Sequence, residues 1–172
     1  GICGPGDTSY WAGPFTFTTP CSALIPSQLE DFSGGFPPNA CWDQAGDGDP
    51  GTGPTGFGVS SWFTDGFGNV GTTGAVKINL FTLGKQEWIL SPQYDFSSGG
   101  PFQIEFDFGV FGWNQTSPSQ LGSDDRVEVL ISRDGGASWN GLANYNNNYI
   151  TGPNGNHEII ALPSDTTGIA VS

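Results

Sequence analysis

Glu105-Phe106-Asp107 puts two carboxylates at alternate positions, and on a strand that spacing turns both to one face. Paired acids on one surface are the apparatus of glycoside hydrolysis, where they flank the scissile bond. Here Phe108-Gly109-Val110 follows, so no third acid continues the series, and the pair reads as the solvated or cation-binding face of a strand. His157 is the sole histidine. A Ser/His/Asp triad needs a nucleophile around such a base, and a zinc site needs several His or Cys ligands. Neither surrounds Gly155-Asn156-His157-Glu158, which reads as a surface loop entering a strand. Asp43, Asp47 and Asp49 lie in a glycine-rich acidic run whose composition suits calcium, although no Glu closes it in the EF-hand manner. Ser132, Asp134, Gly136 and Trp139 fall in Ser-Arg-Asp-Gly-Gly-Ala-Ser-Trp. There an aspartate accepts backbone N–H groups across a tight turn, a glycine supplies positive φ, and a tryptophan packs beneath.

Strands must position these groups. Apolar residues at helical spacing, free of Gly or Pro, are almost absent. Period-two alternation is common instead. In Pro101 to Val110, Phe102, Ile104, Phe106 and Phe108 face one way while Gln103, Glu105 and Asp107 face the other. Arg126 to Ser132 repeats this with Val127, Val129 and Ile131 inward, and Ala75 to Leu80, Trp88 to Leu90 and His157 to Leu162 are further candidates. Turn clusters of Gly, Pro, Asn, Asp and Ser separate them, which predicts an all-β fold, an antiparallel β-sandwich.

Composition narrows the function. The 172 residues carry 17 Asp and Glu against 4 Lys and Arg, a formal net charge of −13. Nucleic acid and anionic membrane surfaces both require a basic face, so both are excluded as partners. No apolar run is long enough to span a bilayer, which excludes direct membrane insertion. Only 35 % of the residues are hydrophobic, but 6 Trp, 13 Phe and 4 Tyr supply large side chains for a core and argue against disorder. Three cysteines predict one disulfide in an oxidising compartment. Cys21–Cys41 would close a 20-residue loop, and Cys3–Cys21 is the competing pair. Asn114-Gln115-Thr116 is a formal N-glycosylation sequon.

Two resemblances organise the chain. Tyr10-Trp11-Ala12-Gly13-Pro14 followed by Phe15-Thr16-Phe17-Thr18-Thr19-Pro20 resembles the last strands of a fibronectin type III domain, so residues 1–19 read as its remnant and 20–28 as a linker. The alternative is an opening hairpin of the main domain. Residues 29–172 resemble the MAM-like jelly rolls called choice-of-anchor J domains. The carrying residues are Leu29-Glu30-Asp31-Phe32, Gly35-Phe36-Pro37-Pro38, Cys41-Trp42, Trp88-Ile89-Leu90-Ser91-Pro92, Asp95-Phe96-Ser97, Phe106-Asp107, and Asp125 through Trp139. That resemblance implies a jelly roll from a large surface or secreted protein of bacteria that use type IX secretion. It also implies closing strands beyond Ser172, so the domain reads as interrupted at its C-terminus. A structural calcium near the first strand is implied as well, with Glu30, Asp31, Asp124 and Asp125 as its ligands. The Ser132 to Trp139 run resembles the Asp-box of sialidases, but a single copy without an arginine cluster marks a structural turn. Asp165-Thr166-Thr167 resembles the short O-glycosylation signal of the same bacterial lineage.

The functional expectation is a non-catalytic adhesion or recognition module that binds glycan or a surface protein beside neighbouring domains of a long chain. Trp62, Phe67 and Trp113, in glycine-rich loops, are the aromatic candidates for ligand contact. The alternatives are an accessory domain of a secreted peptidase or glycosidase, and a structural stalk or filament module.

Overall fold

The computed structural model describes residues 21–166 and the backbone of 169–170. The expected fibronectin-like segment 1–19 and Cys3 lie outside the described residues. Eleven strands run through the described part: β1 Asp43–Asp49, β2 Gly53–Phe57, β3 Phe63–Asp65, β4 Ala75–Lys77, β5 Trp88–Leu90, β6 Tyr94–Asp95, β7 Gln103–Phe108, β8 Val127–Ile131, β9 Asn140–Tyr145, β10 Asn156–Ala161 and β11 Ile169–Ala170. The only helical element among the described residues is a 3-10 turn at Phe67–Asn69. All strand pairings are antiparallel: a three-stranded sheet in the order β2-β1-β5, and the ribbons β7-β10, β8-β9, β3-β4 and β6-β11. The described chain is thus all-β, in short separate pairings, and a parallel bridge from Leu24 to Tyr94 ties the segment before β1 on.

The alternation in β7 has the predicted sense. Ile104, Phe106 and Phe108 are half-buried, whereas Gln103, Glu105 and Asp107 are exposed. Ile104 joins Tyr94, Phe102 and Leu142 around the buried Phe96, Ile131 and Leu162. The glycine-rich acidic run from Asp43 to Asp49 is a strand. Its backbone pairs with Trp88–Leu90 on one side and with Gly53–Phe57 on the other. The Asp43 and Asp47 carboxylates each accept the N–H of the next residue, at 2.7 and 2.8 Å, and Asp49 accepts that of Gly51 at 2.8 Å to form the hairpin turn. The expected Ala75 to Leu80 strand stops at Lys77, where its partner stops at Phe63. The Trp62 N–H turns away to the Ser60 hydroxyl. The sequence reading missed β9. A bulge at Val129/Leu130 shifts the register and leaves the adjacent Leu142 and Ala143 both half-buried, which erases alternation.

Of the two cysteine pairings open in the sequence, Cys21–Cys41 is formed, with Cα atoms 5.7 Å apart. It fixes the irregular segment before β1 to the start of the first sheet.

Candidate functional site

The Ser132 to Trp139 turn is held by its own side chains. The Asp134 carboxylate accepts the Ser132 hydroxyl at 2.8 Å, the Ser138 N–H at 2.9 Å and the Ser138 hydroxyl at 2.5 Å. Ser132 in turn accepts the Gly136 N–H at 2.7 Å, and Gly136 adopts φ +94. These donors, first those of Ser138, hold the Asp134 carboxyl down at about 2. Ser132 is fully buried, and Trp139 lies edge-on to Trp88 at 5.6 Å. Both indoles cover the β1–β2 hairpin. A Cβ built at Gly53 would fall 2.3 Å from Trp139 Nε1, and one at Gly48 would fall 2.8 Å from Trp88 Nε1. The hairpin is therefore shaped by absent side chains, and the Asp134 carboxylate is occupied in the turn.

A second cluster faces outward. Trp113 is 52 % exposed and Phe63 is 40 % exposed, and their rings meet edge to face at 6.3 Å. The Lys77 ammonium lies 5.1 Å from the Phe63 centroid and 5.0 Å from that of Trp113, a double cation–π contact. It is also paired with Asp65 and donates to Asn69 Oδ1 at 2.7 Å. That pairing lowers the Asp65 carboxyl below its ordinary value. The Asn69 amide then donates across to the carbonyls of Gly112 and Gln115, at 3.3 and 2.6 Å, locking the 3-10 turn to the loop that carries Trp113. The same two loops line a shallow cleft of about 160 Å³ with Phe67, Gly68, Val70, Phe111, Thr116, Pro153 and Asn154. Phe67 stands edge-on to Phe111 at 5.9 Å.

Of the three aromatics singled out in the sequence, Phe67 and Trp113 thus belong to this loop cluster. Trp62 is half-buried, with its indole nitrogen buried and unpartnered among the described residues. Sequence reasoning missed Phe63, Asn69 and Lys77. Only the β3–β4 pairing brings them beside Trp113, and no local motif signals it.

The acidic candidates are dispersed. Glu30 accepts the Phe32 N–H at 2.8 Å, Asp31 that of Ser33 at 2.9 Å, and Asp125 that of Gly122 at 3.0 Å. Among the described residues no group of three or more His, Cys, Asp or Glu side chains is placed to hold a metal ion, whether from Glu30, Asp31, Asp124 and Asp125, the set that the resemblance implies, or from Asp43, Asp47 and Asp49, the set that composition suggests. Glu105 and Asp107 meet His157 across the β7–β10 register, with Asp107 Oδ1 2.9 Å from Nδ1 and Glu105 Oε2 3.5 Å from Nε2. The two acids meet opposite nitrogens of one ring. Asp107 first, then Glu105, raises the His157 imidazole above its ordinary value. On the opposite face of the ribbon, Glu158 accepts the hydroxyls of Tyr145 at 3.1 Å and Tyr149 at 2.7 Å among Phe106 and Phe108. Burial and that carboxylate push the Tyr145 phenol to about 12. Thr166, in the run that resembles an O-glycosylation signal, is only 4 % exposed.

These features define a disulfide-bonded all-β domain in which no described helix is long and apolar enough to cross a membrane. No known protein family, curated protein or solved structure matches the chain.

Proposed function

We propose that this chain is a non-catalytic recognition module, a MAM-like jelly-roll sandwich from a large secreted or cell-surface bacterial protein, and that it holds a glycan on the Phe63–Trp113 loop cluster. One observation carries the reading: two large aromatic rings stand exposed side by side, yet the loops beneath them are locked by Asn69. An exposed aromatic face that costs no ordering on binding is what stacks on the C–H face of a sugar. The adjoining cleft, at about 160 Å³, is smaller than sites that engulf a substrate, and no acid, base or thiol lines it. A second cleft, among Pro118, Ser119, Gln120, Ile150 and Thr151, likewise has no titratable lining. The disulfide supports an oxidising, extracellular setting.

A glycan array probed with the wild-type chain and with Trp113→Ala tests this. Binding by the wild type that the substitution abolishes, with thermal melting unchanged, is the expected result. An array with no positive signal, or signals indifferent to Trp113, would sink the assignment.

A further inference from the structure

The charge distribution narrows the ligand within that reading, on which this inference rests. The chain has four Lys and Arg residues, and each is paired with a carboxylate. Lys77 pairs with Asp65, Lys85 with Glu87 at 3.1 Å, Arg126 with Glu128 at 3.2 Å, and Arg133 with Asp165 at 2.9 Å. His157 lies between Glu105 and Asp107. Lys77 is the cation at the aromatic cluster, and its ammonium is already met by Asp65, Asn69 and two ring faces. Among the described residues no Lys or Arg side chain is left unpaired to receive a carboxylate or sulfate, and the molecule carries a formal charge of −13. The polar groups lining the adjoining cleft are the Thr116 hydroxyl and the Asn154 carboxamide, neutral groups that both donate and accept.

We infer that the Phe63–Trp113 cluster selects uncharged sugar rings and rejects sialylated, sulfated and uronic glycans. The stacking surface is indifferent to charge, so discrimination comes from repulsion by an acidic surface and the lack of a compensating cation. Such repulsion between exposed charges weakens as salt screens it.

Calorimetric titration with N-acetyllactosamine oligosaccharides, unmodified and carrying one terminal sialic acid or sulfate, reads this directly. The neutral sugar is expected to bind roughly tenfold more tightly than its acidic counterparts at low ionic strength, with the gap narrowing in added salt. Asp65→Asn releases the Lys77 ammonium and should shift the ratio toward the acidic sugars. Equal or tighter binding of the acidic sugars by the wild type overturns the charge selection while leaving glycan recognition standing. Binding of neither class, here and on the array, overturns both.

Discussion

Trp139 and Trp113 both sit in glycine-rich sequence, yet one is 8 % exposed and the other 52 %. The difference lies in what faces them. Trp139 has a seat, since Gly53 leaves out the one atom that would collide with the indole. Trp113 meets a second ring and a lysine, and neither yields a hole to enter. Over the β1–β2 hairpin, the interior is thus built by setting indole rings over missing side chains.

The largest test of this contrast substitutes the two tryptophans. Trp139→Ala empties a filled seat and should cost about 3–5 kcal/mol of unfolding free energy in denaturant titration. Trp113→Ala should change stability by less than about 0.5 kcal/mol. Similar losses from both would erase the distinction between the two regions. Next in size, breaking the Cys21–Cys41 cross-link with a reductant should remove about 3 kcal/mol, because the chain-entropy cost of a 20-residue loop returns to the unfolded state. An unchanged melting curve under complete reduction would refute it. Filling the seat from below sharpens the comparison further. Gly53→Ala carries both the φ +96 strain and the indole collision and should cost at least about 2 kcal/mol. A methyl at Gly68 in the loop cluster meets Phe111 at 3.4 Å and should cost less in the same titration.

Much of the strand content was legible because some strands have one aromatic or aliphatic face. Gln103–Phe108 alternates cleanly, Val127–Ile131 is apolar at every position but Glu128, and Trp88–Leu90 is a short apolar run. Asp43–Asp49 and Gly53–Phe57 carry no such pattern. Their apolar contacts come from indoles donated by distant segments, so the strand residues themselves look like a loop. Asn140–Tyr145 was hidden by its partner's bulge. The Ser132 to Trp139 turn is local in sequence, and its hydrogen bonds close within eight residues, so its geometry could be anticipated. The loop cluster is the reverse case. Trp113 and Phe67 are legible as aromatics in glycine-rich loops, but Lys77 and Asn69 join them only through tertiary pairing.

Acidity supplies the smallest effects. The folded Asp134 carboxyl, at about 2, lies below its ordinary value, so the folded state binds its proton less readily. Its stabilisation is present above about pH 4 and fades as pH falls toward 2. Asp134→Asn should therefore flatten the acid limb of a melting-temperature profile. His157 has the opposite sign. Its raised value stabilises the fold below about pH 6.5, and that contribution is lost as pH climbs through the folded value. His157→Gln should remove a shallow decline in melting temperature as pH rises above about 6.5. A profile identical to wild type in that window would mean that the Asp107 and Glu105 contacts carry no linkage.

The pairing of every Lys and Arg side chain also bears on how such a chain survives among proteases. An enzyme that cuts after basic residues has four bonds to choose from in 172 residues. Lys77 ends a strand, and Arg133 sits in a turn stapled by Asp134. Arg126 abuts β8. Lys85 alone lies in a run where every residue from 81 to 86 is exposed and outside any strand. Its ammonium holds the Ser61 hydroxyl at 2.8 Å and Glu87 at 3.1 Å, so even this bond must leave its tether before it fits an active-site cleft. Digestion by a trypsin-class enzyme should thus begin with one nick in the β4–β5 connection, leaving two fragments that stay associated through the β1–β5 pairing and the Leu24–Tyr94 bridge.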